Sequence, residues 1–93
     1  MDRSAVEKEL QKIPGVGRSL SRDLADLGYR KVEDLEGENP EAMYRNLTRL
    51  RGRHIDRCVL YVFRCAVYFA SHTRHDPALL KWWNWKEERP GRS

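Results

Sequence analysis

The amino-acid sequence predicts an all-α fold, and three observations support this prediction. Apolar residues recur at intervals of three and four, the spacing that places them along one face of a helix. The longest apolar run, residues 55–72, contains no glycine or proline and is far longer than a usual strand, although its Val, Tyr and Phe residues also favour strands. Helix-start signals precede several of the patterns, as at Asn39-Pro40. The sequence therefore predicts a compact bundle of about five helices.

Two helices are expected in the first third of the chain. Ser4 and Glu7 have the spacing of a capping box, which places the start of the first helix near Ala5. The second helix is expected to begin at Arg18 or the residue before it, and Gly28 is well placed to end it in a left-handed conformation. The apolar positions of the two helices are Val6, Leu10, Ile13, Leu20, Leu24 and Leu27.

The middle of the chain predicts a short helical turn and a third helix. The turn covers Val32–Leu35. The third helix is expected to run from Pro40 to about Leu50, because Asn39 is a good cap and Pro40 suits the first helical position. Gly52 then breaks the pattern.

The last third predicts a long buried helix and a short final one. Residues 55–72 are apolar around most of the circumference, which is typical of a central helix. Asp76 and Pro77 are expected to start the final helix, which carries three tryptophans. Residues 1–86 are interpreted as one domain and residues 87–93 as a flexible tail.

The composition permits an anionic partner and argues against a secreted or membrane protein. The chain has 93 residues and a formal net charge of +4, which suits binding to a polyanion. Cys58 and Cys65 would lie two turns apart on one helix, about 10 Å along its axis, so no disulfide is expected between these reduced, buried thiols. The run Val59–Ala70 is too short for a bilayer and contains Arg64. Because no signal-peptide pattern is visible either, we predict a cytoplasmic protein without membrane contact.

The most informative stretch is the five-residue turn Ile-Pro-Gly-Val-Gly, residues 13–17, between the first two helices. Pro14 removes a backbone donor and ends the first helix, while the two glycines allow unusual conformations and carry no side chain over the turn. The N–H groups that open the second helix are therefore expected to point outward uncovered, an arrangement that binds anions. Arg18 and Arg22 follow directly, so the turn predicts a phosphate-binding site.

This stretch resembles the helix-hairpin-helix motif, a small unit that binds the DNA backbone. The matching residues are Leu10, Ile13, Pro14, Gly15, Val16, Gly17, Leu20, Leu24 and Leu27. The resemblance implies that hairpin amides after the first glycine contact a phosphate, often beside a monovalent cation held by main-chain carbonyls. Apart from that cation, no cofactor is expected.

A second, imperfect copy of the motif follows at a constant offset. The matching pairs are Leu10 and Leu47, Ile13 and Leu50, and Gly15 and Gly52. Arg51, Arg53 and His54 stand where the first copy has Pro14, Val16 and Gly17. In the helix-hairpin-helix family two such hairpins related by a pseudo-twofold form the complete fold, so the resemblance implies a tandem, SAM-like domain. Because the second glycine is missing, side-chain charge is expected to replace amide binding there.

Charge is distributed unevenly along the chain. Residues 45–57 contain five arginines against one aspartate, a local charge of +4 that equals the net charge of the whole chain. We expect this segment to face a polyanion; a solvated helix end is the alternative. Acidic residues between the two hairpins are expected to face away from any phosphate backbone, namely Glu33, Asp34, Glu36, Glu38 and Glu41.

The histidines and cysteines of the long helix are candidates for a metal or catalytic site. His54, Cys58, Cys65 and His72 would share one helix face, but eighteen residues of helix span about 27 Å, so the four cannot converge on one metal ion. No activated nucleophile or paired carboxylates stand out, and we predict neither a metal site nor an enzyme.

A stripe of arginine and tyrosine side chains runs along the long helix. Its members are Arg57, Tyr61, Arg64, Tyr68 and His72, which we call the Arg/Tyr stripe. It is expected to be an ordinary outward face. The alternative is a surface that stacks on bases or binds an anionic partner.

Nearly the whole chain, roughly residues 5–87, is similar to a family of small bacterial proteins of the "pathogenicity locus" or "mitomycin resistance" type. The segments that carry the resemblance are the first hairpin, Val32–Leu35, Asn39-Pro40-Glu41, the run from Asp56 to Tyr68, His75-Asp76-Pro77 and the run from Leu80 to Trp85. These family names describe genetic context, so the resemblance implies a fold rather than a biochemical activity.

We therefore predict a non-catalytic protein that binds duplex DNA through its phosphate backbone, without sequence preference. The predicted contact residues are Gly15, Val16, Gly17, Arg18, Ser19, Arg22, Arg51, Gly52, Arg53 and His54. The alternative is a protein-interaction module, or a homodimer, in which the hairpins serve packing. Its contact surface would be the Arg/Tyr stripe or the cluster of Trp82, Trp83 and Trp85.

Overall fold

A computed structural model describes residues 2–86, and all regular secondary structure in this part of the chain is helical, which confirms the all-α prediction. The α-helices are α1 (Arg3–Leu10), α2 (Arg18–Asp26), α3 (Pro40–Arg51) and α4 (Cys58–Ser71). Three short 3-10 helices lie at Val32–Leu35, Pro77–Leu80 and Trp82–Trp85. Between residues 2 and 86 there is thus no strand. The flexible tail predicted at residues 87–93 lies outside the described residues.

The core is built around α4, which packs against α3, the Val32–Leu35 turn and both C-terminal 3-10 helices, while α1 packs against α2. Phe63 of α4 and Leu10, Leu24 and Leu47 of the other helices are fully buried. Burial of each such side chain contributes about 1.5–3 kcal/mol. The prediction of a central, mostly buried helix is confirmed. Even so, no helix of the described part is long and apolar enough to cross a membrane.

Local cap signals fix most of the helix ends. The Asn39 side chain accepts the backbone N–H groups of Glu41 and Ala42 at 2.9 and 3.2 Å, and Pro40 occupies the first turn of α3. Gly28 follows α2 with φ +103°, in the left-handed region that glycine tolerates. These ends agree with the sequence prediction.

Two helix starts differ from the prediction. Helix α1 begins at Arg3, because the Asp2 carboxylate, rather than the Ser4 side chain, caps it and accepts the Ser4 N–H at 3.4 Å. Helix α4 begins at Cys58, because Ile55 is buried in the preceding turn and its carbonyl accepts the Tyr44 hydroxyl. Tertiary packing thus shortens the long helix at its start.

The tryptophan-bearing segment is two 3-10 helices rather than one short helix. Lys81 has an extended backbone, φ −96° and ψ 111°, and separates Pro77–Leu80 from Trp82–Trp85. The three tryptophans differ in exposure: Trp82 packs against the core, Trp85 is partly buried, and Trp83 is 51% exposed. The Trp85 indole N–H donates to the Leu79 carbonyl at 2.8 Å, which ties the last turn to the one before it.

Candidate functional site

Residues 11–17, here called the first turn, connect α1 to α2 through a tight reversal. The Ile13 carbonyl accepts the Val16 N–H at 3.1 Å, with Pro14 and Gly15 between them and Gly15 at φ +84°. This combination has the features of a type II turn, which favours proline first and glycine second. Ile13 and Val16 are both buried and anchor the turn to the core. The predicted phosphate contact at Val16 therefore has its amide already engaged within the turn.

Gly15 is also required by a contact that the sequence did not reveal. A Cβ atom added at this position would lie 2.9 Å from Cδ1 of Trp82. The C-terminal segment thus packs directly against the first turn. Only a residue without a side chain satisfies both the positive φ angle and this close approach.

The start of α2 is open. Gly17 is its cap residue, at φ −98°, and no side-chain hydrogen bond from the described residues caps the helix there. A Cβ atom added at Gly17 would meet nothing within 4 Å. The first intrahelical bond is Ser21 N–H to the Gly17 carbonyl, at 2.9 Å, so the amides of Arg18 and Ser19 precede the ladder. An anion at this end would meet unpaired N–H groups and the positive end of the helix dipole.

Basic side chains flank this open helix start. Gly17, Arg18, Ser19 and Arg22 are all exposed, whereas Ser21 is fully buried. The Ser21 hydroxyl donates to the Arg18 carbonyl and accepts from the Gln11 amide, at 2.9 and 3.2 Å. These bonds hold the N-terminal end of α2 against the segment that precedes the helix. The structure thus brings together the glycines, Ser19 and both arginines predicted for the first hairpin.

The monovalent cation implied by the resemblance would need main-chain carbonyls of the first turn. The Ile13 carbonyl uses one lone pair to accept the Val16 N–H. A carbonyl oxygen has two lone pairs, so this group retains one for a cation. Phosphate binding by the α2 amides does not itself require the ion.

The second turn, residues 52–57 between α3 and α4, repeats one feature of the first and loses others. Gly52 has φ +69° and is therefore left-handed, like its counterpart Gly15. Leu50, however, is 53% exposed, whereas its counterpart Ile13 is only 1% exposed. Ile55 is the buried residue of this turn instead. The sequence echo therefore gives a similar reversal with a different set of buried side chains.

Arg51, a predicted phosphate contact, is partly exposed and is held against α2 by two carboxylates. Its Nη2 atom lies 2.5 Å from an oxygen of Asp23 and 2.7 Å from an oxygen of Asp26. Asp26 also pairs with Arg3 at 2.5 Å. The pKa of Asp26 is lowered by hydrogen bonds from Arg3 and then from Arg51. This network joins α1, α2 and α3, and it gives Arg51 a structural role.

The other predicted residues of the second turn are exposed. Gly52, Arg53 and His54 all lie at the surface, and neither Arg53 nor His54 forms an ion pair with any residue from 2 to 86. They lie beside a groove with arginines that were not among the predicted contacts. The groove is lined by Tyr44, Arg45, Thr48, Arg49, His54 and Arg57. Arg45 and Arg49 belong to the basic segment 45–57 that the sequence predicts to face a polyanion, and their spacing places them on one face of α3.

The acidic stretch between the hairpins is largely used within the protein. Asp34 accepts the backbone N–H groups of Arg30 and Lys31 at 2.9 and 3.2 Å. Glu38 accepts the Tyr29 hydroxyl at 2.9 Å, which together with burial raises the pKa of Tyr29. These carboxylates hold local structure.

Arg64, a member of the Arg/Tyr stripe, is buried rather than outward. It is 9% exposed, pairs with Glu41 at 2.9 Å, and donates to the Trp85 carbonyl at 2.7 Å. Its guanidinium also lies 5.7 Å from the centre of the Tyr61 ring. The prediction of an outward stripe is wrong at this position, because Arg64 joins α3 and the C-terminal segment to α4.

The two thiols have different surroundings. Cys65 is buried, and desolvation raises its pKa to about 11. Cys58 is exposed, which corrects the expectation that both are buried. A hydrogen bond to Asp56 is the largest cause that raises the Cys58 pKa, so this thiol has no activated character. Within residues 2–86 no group of three or more His, Cys, Asp or Glu side chains is placed to hold a metal ion.

The fold and the site define a small all-α protein with an open helix start after a glycine turn and an arginine-rich second turn. The chain belongs to the Cdd1 family, described as "Pathogenicity locus", whose profile matches residues 3–91. This confirms the family resemblance seen in the sequence. The chain is also 27% identical over 81 residues to mitomycin resistance protein McrB of Streptomyces lavendulae, an alignment that covers 87% of this chain and 73% of that protein. No solved structure matches the chain significantly.

Proposed function

We propose that this protein binds duplex DNA without sequence preference and without catalysis, on a tandem helix-hairpin-helix scaffold. The observation that carries the proposal is the open start of α2, where Gly17 provides no cap and exposed Arg18 and Arg22 flank the amides. Backbone N–H groups and arginines are the groups that bind phosphates irrespective of base sequence.

The distribution of paired and unpaired arginines supports this proposal. Arg3, Arg51 and Arg64 form ion pairs that join helices. Arg18, Arg22 and Arg53 form none with the described residues and are exposed. Exposed arginines that form no ion pair within the described residues are therefore found at both turns. We propose Arg18, Arg22 and the backbone amides at the start of α2 as the principal contacts, with Arg53 and His54 reaching the second strand.

A salt titration with a fluorescent duplex oligonucleotide tests the proposal. Each neutralised phosphate contributes about −0.9 to the slope of log affinity against log salt, so we expect a slope of roughly −2 to −4. Two duplexes of unrelated sequence should bind equally well. Absence of binding at the lowest salt concentration, or an affinity that does not respond to salt, would refute the proposal.

Matched charge variants locate the contact. The double variant Arg18→Gln/Arg22→Gln should weaken binding and make the salt slope shallower by roughly 1.8, about 0.9 for each arginine. The control is Arg30→Gln/Arg74→Gln, which removes the same charge from two exposed arginines that belong to neither turn. Equal loss of affinity in the two double variants would show a general charge effect and would contradict a contact at the first turn.

A second candidate function is protein–protein interaction, including self-association, and exposed Trp83 favours it. A tryptophan that is 51% exposed is unusual at a surface without a partner. Replacement of Trp83 by Ser would then abolish capture of the partner, or dimerisation measured by light scattering, and leave DNA affinity unchanged. The Arg53→Glu variant would do the reverse: DNA binding is lost while the fold, the oligomeric state and partner capture are retained.

A further inference from the structure

The geometry of the groove beside the second turn points to a site for a nucleoside monophosphate, with its terminal phosphate held by arginines. The groove has a volume of about 460 Å³, within the range of small-ligand sites. It lies between the second half of α3 and the start of α4. Its lining residues are Tyr44, Arg45, Thr48, Arg49, His54 and Arg57.

The charged side chains that line the groove are all positive. Arg45 and Arg49 lie one turn apart on α3, and Arg57 approaches from the start of α4, while none of the lining residues is acidic. As far as the described chain shows, Arg45 and Arg57 have no ion-pair partner, and Arg49 contacts the Asn46 amide oxygen at 3.4 Å. Three cations that share one groove repel one another. An anion bound between them relieves this repulsion.

The carboxylate next to Arg57 in the chain is that of Asp56. Asp56 accepts the Cys58 N–H at 2.8 Å and holds the start of α4. That hydrogen bond is the largest cause that lowers the pKa of Asp56, and nearby His54 adds a smaller one. Asp56 is not among the lining residues, so the groove itself is lined by three arginines and no carboxylate.

A terminal phosphate fits this charge better than an internal phosphodiester. A phosphate monoester carries about −1.5 to −2 at neutral pH and has three acceptor oxygens. A backbone phosphodiester carries one negative charge. Guanidinium groups bind phosphate oxygens through paired donors, so three arginines match the larger charge and the extra oxygen.

Tyr44 gives the groove a fixed aromatic wall. Its hydroxyl donates to the Ile55 carbonyl, which holds the ring across the second turn. A fixed ring suits the flat face of a base or a sugar next to the phosphate. The shared ligand chemistry is a nucleoside monophosphate, either free or at the phosphorylated end of a strand; the strand-end form rests on the proposed function.

The experiment compares ligands that differ by one terminal phosphate. One pair is a duplex with and without a 5′-phosphate, measured by fluorescence anisotropy, and the other is dAMP and deoxyadenosine, measured by calorimetry. We expect the phosphorylated duplex to bind at least about fivefold more tightly, or dAMP to bind where deoxyadenosine does not. Arg45→Gln/Arg49→Gln should remove the phosphate effect, and the control Arg30→Gln/Arg74→Gln should retain it. All four positions are exposed, and circular dichroism checks that each variant is folded.

Each outcome decides one of the two proposals. Equal binding of both duplexes with no binding of dAMP, or a phosphate effect that persists in Arg45→Gln/Arg49→Gln, overturns the groove site. In that case salt-dependent duplex binding would still support the proposed function. Binding of dAMP without any binding of duplex DNA would sustain the groove site and refute the proposed function.

Discussion

The two turns of this protein share a left-handed glycine but differ in burial and in what they lead into. Both contain a left-handed glycine, Gly15 in the first and Gly52 in the second. The first turn is buried on both sides of its glycine, lies under Trp82, and leads into an open helix start. The second exposes most of its residues and lies beside an arginine-lined groove.

A turn with a left-handed glycine can therefore present positive electrostatic potential in two ways. The first turn leads into the main-chain amides at the start of α2, which need no side-chain ordering to bind an anion. The second presents guanidinium groups on flexible stems, which lose rotamer freedom when they bind. Substitutions of corresponding apolar residues should therefore cost more stability at the first turn than at the second.

The largest expected contrast is between Ile13 and Leu50, which occupy corresponding positions. Ile13→Ala removes a side chain that is 1% exposed, and we expect it to lower the free energy of unfolding by about 2–4 kcal/mol. Leu50→Ala removes a side chain that is 53% exposed, with an expected change within about 0.5 kcal/mol. Urea denaturation of the two variants measures both values. A loss at Leu50 as large as that at Ile13 would mean that the two turns are packed alike.

A smaller contrast is expected between the two left-handed glycines. Gly52→Ala strains the backbone and should cost about 1–2 kcal/mol. Gly15→Ala carries the same strain and in addition brings a methyl group to 2.9 Å from Trp82, so we expect a total cost of about 2–4 kcal/mol. Chemical denaturation gives the two values. In a Trp82→Ala background the difference between them should disappear, and a difference that remains would contradict the contact.

The smallest stability contrast is between Arg51 and Arg53. Arg51→Gln breaks the ion pairs to Asp23 and Asp26, which are partly exposed, and should cost about 0.5–1 kcal/mol at neutral pH. Arg53→Gln, at an exposed position, should leave stability unchanged within about 0.3 kcal/mol. Thermal denaturation at one salt concentration compares them.

The pH dependence of the Arg51 effect follows from the lowered pKa of Asp26. A carboxylate whose pKa is lowered on folding contributes its full stabilisation at pH values above its unfolded-state pKa of about 3.9. This contribution is lost as the pH falls through the lower pKa of the folded state. The stability difference between wild type and Arg51→Gln should therefore be full above about pH 5 and shrink below about pH 3. A difference that grows on acidification would contradict the ion-pair account.

Much of the fold could be predicted because its signals are local. Asn39-Pro40 and Gly28 mark helix ends through contacts within a few residues, and the structure agrees with them. The start of α4 could not be predicted, because it depends on Ile55 being buried and on a hydrogen bond from Tyr44. Local patterns do not report such tertiary contacts.

The candidate site shows the same division. The open start of α2 follows from two glycines next to a proline, which can be seen in the sequence. The packing of Trp82 on Gly15 and the pairing of Arg51 with Asp23 join residues far apart in the chain. Charge counting placed Arg45, Arg49 and Arg51 in one basic segment and could not show that Arg51 is paired while Arg45 and Arg49 line a groove.

Phosphate binding by the amides at the start of α2 is tested most directly at Gly17, the cap residue of that helix. A Cβ atom at Gly17 meets nothing within 4 Å in the protein, so Gly17→Ala should change stability by no more than about 0.5 kcal/mol. Gly17→Ser should be at least as stable as wild type, because a serine at this cap position accepts an N–H of the first helical turn. In both variants the added group lies beside the amides that a phosphate would use, and in the serine variant it competes for them.

The measurement is the affinity of wild type, Gly17→Ala and Gly17→Ser for one duplex at low salt, beside their stability in urea. The account predicts that both variants remain folded while affinity falls about tenfold, the loss of one charge-assisted contact. DNA affinity that stays within twofold of wild type in both variants would contradict it.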